Sequence, residues 1–317
     1  MYAILLFILP SILLADGPVE PRSRTFRFTY AATVTGLAAK QTARIWIPIP
    51  KTTSDQQVEL IEQELPGPSR LGAEPRFGNR VLYFEAQPSP KGELSCKLVF
   101  LVMRREVRAG LSQASSDDVK LFLKPDSKVP FEGKHLRLLD GKKLPAEPVA
   151  MTRALYEIVN AELRYSKEGT GWGQGDVNWV CDNKYGNCTD FHSLFIGLVR
   201  SQKMPGKFEV GFPLPEKRGS GVIAGYHCWA KVQIEGKGWI PVDISMANQN
   251  ARLKDYCFGN LTEDRVTFST GRDIDLVPKQ DGPALNFFVY PHVEVGGKAW
   301  ATEKIVKRFH YEDVTSK

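Results

Sequence analysis

Apolar and polar positions alternate with a period of two through the first third of the chain. Phe26, Phe28 and Tyr30 alternate with Arg27 and Thr29; Ile45, Ile47 and Ile49 with Trp46 and Pro48; Val81, Tyr83 and Glu85 with Leu82 and Phe84; a longer apolar run covers 94–102. That period is the mark of β-strands, and Pro48, Pro50, Pro66, Gly67, Pro68 and the stretch 88–92 punctuate them as turns. The pattern predicts an antiparallel, sandwich-like β domain over residues 24–109. It carries no titratable cluster, so its expected role is structural or in presenting substrate. From 110 to 147 the texture becomes rich in Ser, Asp, Lys and Pro, with Leu121, Phe122, Leu123 and Phe131 as apolar anchors. This reads as a linker over a domain surface, with His135 solvated among lysines.

The period then changes to that of a helix. Met151, Leu155, Ile158, Val159 and Leu163 mark one face after Pro148, and Phe191, Leu194, Phe195, Leu198 and Val199 mark another. Ahead of the second helix, Gly186 suits a turn, Asn187 an N-cap, and Asp190 the far side of a capping box. Between the two lies a glycine-rich loop, 169–176, which lacks the Gly-Lys-Ser/Thr ending of a phosphate loop and reads as a flexible cleft wall. Two β-rich segments, 226–234 and 239–244, flank Glu-Gly-Lys-Gly and predict a hairpin. Residues 286–295 and 298–311 return to β, with His292 and His310 in structural roles. The order implies an α+β chain: the β domain, the linker, a core over 148–270, and a C-terminal β extension over 271–317.

The chemistry gathers in that core. Cys188 falls in the first turn of its helix, where unpaired backbone N–H groups and the helix dipole favour a thiolate. His227 lies on the first hairpin strand and Asp243 at the end of the second. A three-residue loop, pairing Ile234 with Gly238, puts them diagonally on one face, whereas a two-residue loop sends them to opposite faces. In the first register Cys188 is the nucleophile, His227 its base and later the acid for the leaving group, and Asp243 the group that orients His227. The Cys188 N–H would meet the oxyanion with a second donor, for which Gln174 and Trp179 are candidates, beside Asn178 and Trp172. Cys181, Cys188, His192, His227 and Cys228 could also be read as zinc ligands. No Cys-x-x-Cys pair is present, and His227 and Cys228 alternate faces on a strand, so no metal is expected and His192 is read as packing near the site. Trp229 and Trp239 are read as core or cleft lining.

Gly-Asn-Cys-Thr-Asp-Phe-His-Ser-Leu-Phe, then Gly-Tyr-His-Cys-Trp-Ala, then Gly-Trp-Ile-Pro-Val-Asp resembles the transglutaminase-like superfamily within the papain-like class. The resemblance covers about 150–266, and Phe258-Gly-Asn-Leu, Gly271-Arg-Asp and Leu285-Asn-Phe-Phe-Val-Tyr look like exported bacterial members with a β domain in front. It implies a Cys-bearing helix packed on an antiparallel sheet, with nucleophile, base and acid on Cys188, His227 and Asp243. It also implies cysteine-dependent acyl transfer, without fixing whether amides are hydrolysed or amines cross-linked, or whether activity is retained. No calcium-binding loop of the animal enzymes is evident, and no cofactor is implied.

Composition narrows the setting. Lys+Arg 42 against Asp+Glu 36 gives +6, spread without runs of like charge, which argues against a nucleic-acid partner. The apolar residues 2–14 read as a secretory signal over 1–15, cut after Ala15, although the stretch lacks Lys or Arg and an uncleaved anchor is left open. No later segment is apolar enough to span a bilayer. Five cysteines in an exported protein leave at least one thiol free, and their pairing is not legible. The expectation is an exported, periplasmic or extracellular cysteine enzyme acting on protein or peptide, with hydrolysis ahead of cross-linking because water is abundant. The alternative is an inactive binding or scaffold module.

Overall fold

A computed structural model of the chain describes residues 20–110 and 114–314, so the signal-like stretch 1–15 lies outside the described residues. Two five-stranded antiparallel sheets use both ends of the chain. The first runs Ser220–Ile223, Ile305–Asp313, Ser23–Val34, Leu94–Arg105, Gln56–Glu64. The second runs Lys298–Ala299, His292–Val295, Ala43–Ile49, Arg80–Ala86, Ser69–Ala73. The residues read as a C-terminal extension thus pair directly with the N-terminal strands, Thr29 opposite His310 and Ile45 opposite Val293.

The period of two explains the Ser23–Val34 strand, where every second residue from Arg24 to Val34 is buried. It explains Ala43–Ile49 less completely, because that strand is buried on both faces. Ile45, Ile47 and Ile49 join the main core, while Trp46 packs with Val81, Tyr83, Ile274, Leu276 and Phe288. The strands Gln56–Glu64 and Ser69–Ala73 have no apolar period. They are exposed sheet edges, the first dense in Glu and Gln, which discourages pairing with another chain.

A third, four-stranded antiparallel sheet orders Gly238–Val242, His227–Ile234, Gly206–Pro213 and Arg265–Thr270. It shares its core with the first sheet: the Phe28 ring lies 5.1 Å from Phe212 and 5.4 Å from Phe268, within the range in which aromatic pairs attract.

The stretch expected to be a linker is structured. Helix α1, Ser116–Leu123, starts on a capping box between Ser115 and Asp118 and buries Phe122. A 3-10 turn follows at Lys134–Leu139. His135 is fully buried rather than solvated. Its ring fits against Gly197, where a Cβ would sit 3.0 Å from His135 Cδ2, so the missing side chain makes the slot. Helix α2, Pro148–Glu162, has proline in its first turn, and the Glu147 carboxylate caps it by accepting from the Val149 and Ala150 N–H groups. Helix α3 is Val177–Asn183 and helix α4 is Cys188–Ser201. The sequence gives α4 one apolar face, yet every residue from Cys188 to Arg200 is buried. The third sheet lies on one side of it and α2, α3, the 3-10 turn and the short helix α5, Ile244–Gln249, on the others.

Neither nitrogen of His135 has a hydrogen-bond partner among the described residues, and burial lowers its pKa. Two unpaired buried polar atoms cost about 1–3 kcal/mol each. His135→Leu is therefore expected to leave the melting temperature unchanged or raise it. A loss of more than about 2 kcal/mol in chemical denaturation would show that the imidazole has a partner.

Candidate active site

The start of α4 is built as its sequence predicts. The Asn187 side chain accepts from the Thr189 N–H at 2.8 Å, and the Asp190 carboxylate accepts from the Asn187 N–H at 2.9 Å, closing the capping box. Cys188 is the first residue of the helix, and its sulfur is buried at the positive end of the dipole.

The hairpin adopts the register with the three-residue loop: Ile234 pairs with Gly238 and Ala230 with Val242. His227 and Asp243 are diagonal neighbours, and His227 Nε2 lies 2.8 Å from Asp243 Oδ2. That leaves the other ring nitrogen free of Asp243, and Cys188 is close enough for its charge to raise the His227 pKa. Asp243 also ends the strand and caps α5, its Oδ1 accepting from the Met246 N–H at 3.1 Å and the Ser245 hydroxyl at 3.3 Å. Arg265, which nothing in the sequence pattern nominated, reaches Asp243 Oδ2 at 3.2 Å from the neighbouring sheet strand.

These contacts set the charges. Burial alone would depress His227, but the Asp243 carboxylate and the Cys188 sulfur raise it to about 9. Burial would raise the Cys188 thiol, and is overcome by hydrogen bonds from Cys228 and His227 and by the nearby imidazoles, leaving it well below the usual thiol value. Asp243, although buried, is held far below the usual carboxylate range by His227 and Arg265. These shifts all favour a thiolate and an imidazolium beside a carboxylate.

Three neighbours tune this pair. The Cys228 sulfur sits 3.6 Å from His192 Nδ1 and stays a thiol, because burial and the Cys188 charge push its pKa well up. His192 Nε2 accepts from the Ile244 N–H at 3.1 Å, and burial lowers its pKa to about 4, so it is a neutral packing residue beside Cys188. All five cysteines are free thiols. The glycine loop is held rather than flexible: Asp190 accepts from the Gly173 N–H at 2.6 Å and the Gly175 N–H at 2.8 Å. From the other side, Arg272 donates to the Gly175 carbonyl at 2.9 Å and the Gln174 carbonyl at 2.7 Å. Gly175 has φ +60°, and a Cβ there would lie 2.3 Å from Ser193 Oγ, so only glycine fits.

The proposed oxyanion donors fare less well. The Gln174 side chain is exposed, the Trp179 ring packs on Tyr185, Asn178 Oδ1 accepts from the Lys134 N–H, and the Trp172 indole donates to the Gly169 carbonyl. Trp229 donates to Glu209, and Trp239 lies under the Lys207 ammonium, both within the fold. His292 bonds Glu294 at 3.1 Å and packs on Trp46.

Residues 139–244, which include Cys188, His227 and Asp243, match the family model of the Transglutaminase-like superfamily. The chain carries a transglutaminase-like core domain. A protein of Haemophilus influenzae described as "Uncharacterized protein" is 26% identical over 338 residues, covering 92% of this chain and 90% of that protein. The solved structure of a "Putative Cysteine Protease from Cytophaga hutchinsonii" shares the fold with a TM-score of 0.57 at 14% identity, covering 92% of this chain and all of that one.

A groove of about 380 Å³ has His227 on its wall, with Tyr165, Lys167, Leu214, Ile223 and Tyr226 among its other lining residues. Cys228→Ala removes a thiol whose interaction with Cys188 favours the thiolate. Hydrogen bonds to charged groups are worth about 1.5–3 kcal/mol, so labelling of Cys188 by iodoacetamide at pH 6 is expected to slow at least about tenfold. His227→Ala is expected to slow it further. Unchanged rates, read by mass spectrometry of the intact protein, would show that neither group stabilises the thiolate.

Proposed function

We propose that this protein is a cysteine-dependent acyl-transfer enzyme that acts on amide or peptide bonds through a thioester on Cys188, with hydrolysis ahead of cross-linking. The carrying observation is the hydrogen bond that orients His227 on Asp243 beside the helix-start Cys188, with His227 on the wall of a groove. The thiolate adds to the carbonyl carbon, His227 gives its proton to the departing amine, and water, deprotonated by the same imidazole, releases the acid. The groove is too small for a folded domain and fits a few residues of a peptide. The apolar first residues support an exported location, which would supply protein or cell-wall peptide substrates. Cys188 is only 2% exposed, which favours a second reading, a binding module with a closed site.

Incubation with casein and a fluorescent primary amine separates these readings. New N-termini on casein, abolished by Cys188→Ala, are the expected result; incorporation of the amine instead would mark a cross-linker. No turnover together with a Cys188 that iodoacetamide labels only after denaturation would leave the binding module. The pH dependence has a defined sign. Acylation needs the imidazolium, so its rate is expected to fall as pH rises through about 9, the His227 value, while alkylation, which needs only the thiolate, continues above it.

A further inference from the structure

A tetrahedral intermediate at Cys188 develops negative charge on the former carbonyl oxygen, and a single donor is a thin oxyanion hole. The Cys188 N–H is one donor: it lies in the first helical turn and makes no hydrogen bond among the described residues. Of the side chains nominated from the sequence, Gln174 is exposed, the Trp172 indole is committed to the Gly169 carbonyl, and the Trp179 ring is turned onto Tyr185. Tyr226, next to the base in sequence, is placed differently. Its hydroxyl oxygen lies 3.0 Å from Asn187 Nδ2 and 2.9 Å from Thr189 Oγ1, the side chains that flank Cys188, and it lines the groove together with His227.

The hydrogens can be counted. A phenol oxygen accepts up to two hydrogen bonds and donates one. Asn187 Nδ2 can only donate to it. The Thr189 bond can run either way, and with Thr189 donating, both acceptor positions are filled and the phenol hydrogen is free for a third partner. The other partner of Thr189 Oγ1 is the Cys228 thiol, which donates to it at 3.9 Å, so turning the Thr189 hydrogen toward Tyr226 leaves that contact in place. The ring itself is fixed: it packs on Phe287 at 5.2 Å and on Tyr290 at 5.8 Å, and the Tyr226 N–H donates to the Tyr290 hydroxyl at 3.2 Å. Burial and the neighbouring Cys188 charge push the phenol well above its usual pKa, so it keeps its proton in the working range.

We infer that Tyr226 is a catalytic residue, its hydroxyl completing the oxyanion hole with the Cys188 N–H. This rests on the acyl-transfer reading above. As the sulfur–carbon bond forms, the carbonyl π pair moves to oxygen, and the N–H and O–H donate hydrogen bonds to it without transferring a proton. The pair returns to re-form the carbonyl as the carbon–nitrogen bond breaks, and His227 protonates the amine.

The test compares two reactions at the same sulfur in the full chain. Acylation by p-nitrophenyl butyrate builds an oxyanion; alkylation by iodoacetamide does not. Tyr226→Phe is expected to slow single-turnover acylation about 10²–10³-fold, the usual cost of one oxyanion donor, with alkylation within about twofold of wild type. Equal acylation in wild type and Tyr226→Phe overturns the inference and leaves the acyl-transfer reading standing. A parallel loss of both reactions makes Tyr226 a support for Cys188 and also overturns it. Wild type that is alkylated but never acylated removes the acyl-transfer reading itself. Should Tyr226→Phe fail to fold, 3-fluorotyrosine placed at position 226 supplies a second measurement. Its fluorine resonance is expected to move when butyraldehyde forms a hemithioacetal on Cys188 and to stay in place with Cys188→Ala. A resonance indifferent to the aldehyde overturns the inference.

Discussion

The charge on Asp243 is the constraint around which the site is arranged. A fully buried carboxylate is expensive unless it is paired and fully hydrogen-bonded, and this one accepts from His227, Arg265, Ser245 and the Met246 N–H. Its ionisation raises His227 and, through His227, sustains the thiolate on Cys188. Arg265, the second counter-charge, is itself held in place from behind. Its guanidinium lies 4.7 Å from the Trp229 ring, the Trp229 indole donates to Glu209 at 2.7 Å, and Glu209 meets Lys231 at 3.3 Å. Lys231 in turn bonds Asp55 on the N-terminal side of the chain, and that neighbour, with Arg104, lowers Asp55 to about 2. A series of charged groups thus runs from Asp243 through Arg265, Glu209 and Lys231 to Asp55, at the start of the strand Gln56–Glu64.

The same dependence on distant chain appears on the groove side. The family match ends at residue 244, and the span it covers contains Cys188, His227 and Asp243. The groups that hold them lie beyond it: Arg265 at Asp243, Arg272 at the glycine loop, Phe287 and Tyr290 at Tyr226. Arg272 is buried and bonded to the Gln174 and Gly175 carbonyls and to Ser193, so it ties the loop to the side of α4 while Asp190 ties it to the start. A site held to within fractions of an ångström needs such a supporting shell. The last segment of the chain supplies it before returning through His292–Val295 and Ile305–Asp313 to close the two sandwich sheets.

What could be read from the sequence was local, and what could not was long-range. Asn187, Asp190 and the loop after Ile234 are written within a few residues of the elements they shape, so the cap of α4 and the hairpin register were legible together with Cys188, His227 and Asp243. The period of two found the strands whose faces differ and missed Gln56–Glu64, which has no apolar face to show. Helix α4 read as one-sided because a pattern records side chains and not what covers them: His192, Ser193 and Arg200 are polar and yet buried. His135 is hidden by a glycine sixty-two positions away in sequence (197 − 135). Arg265 and Arg272 carry no local signal, because an arginine on a strand or turn usually faces water, and only tertiary contact makes these two internal.

One geometric point joins fold to chemistry. On a regular strand His227 and Cys228 face opposite ways, yet both favour the Cys188 thiolate. They sit at the first two positions of their strand, in regular register opposite Gly211 and Val210, and it is on the far side of those two residues that the pairing with Arg265–Thr270 slips. A bulge bends and over-twists a strand locally and re-aims its side chains. Gly211 permits the closeness this requires: a Cβ there would lie 1.8 Å from the Val266 carbonyl oxygen. In a dry pocket each of those contacts acts at a lower dielectric than it would in water, so the sulfur can be both nearly inaccessible to solvent and charged.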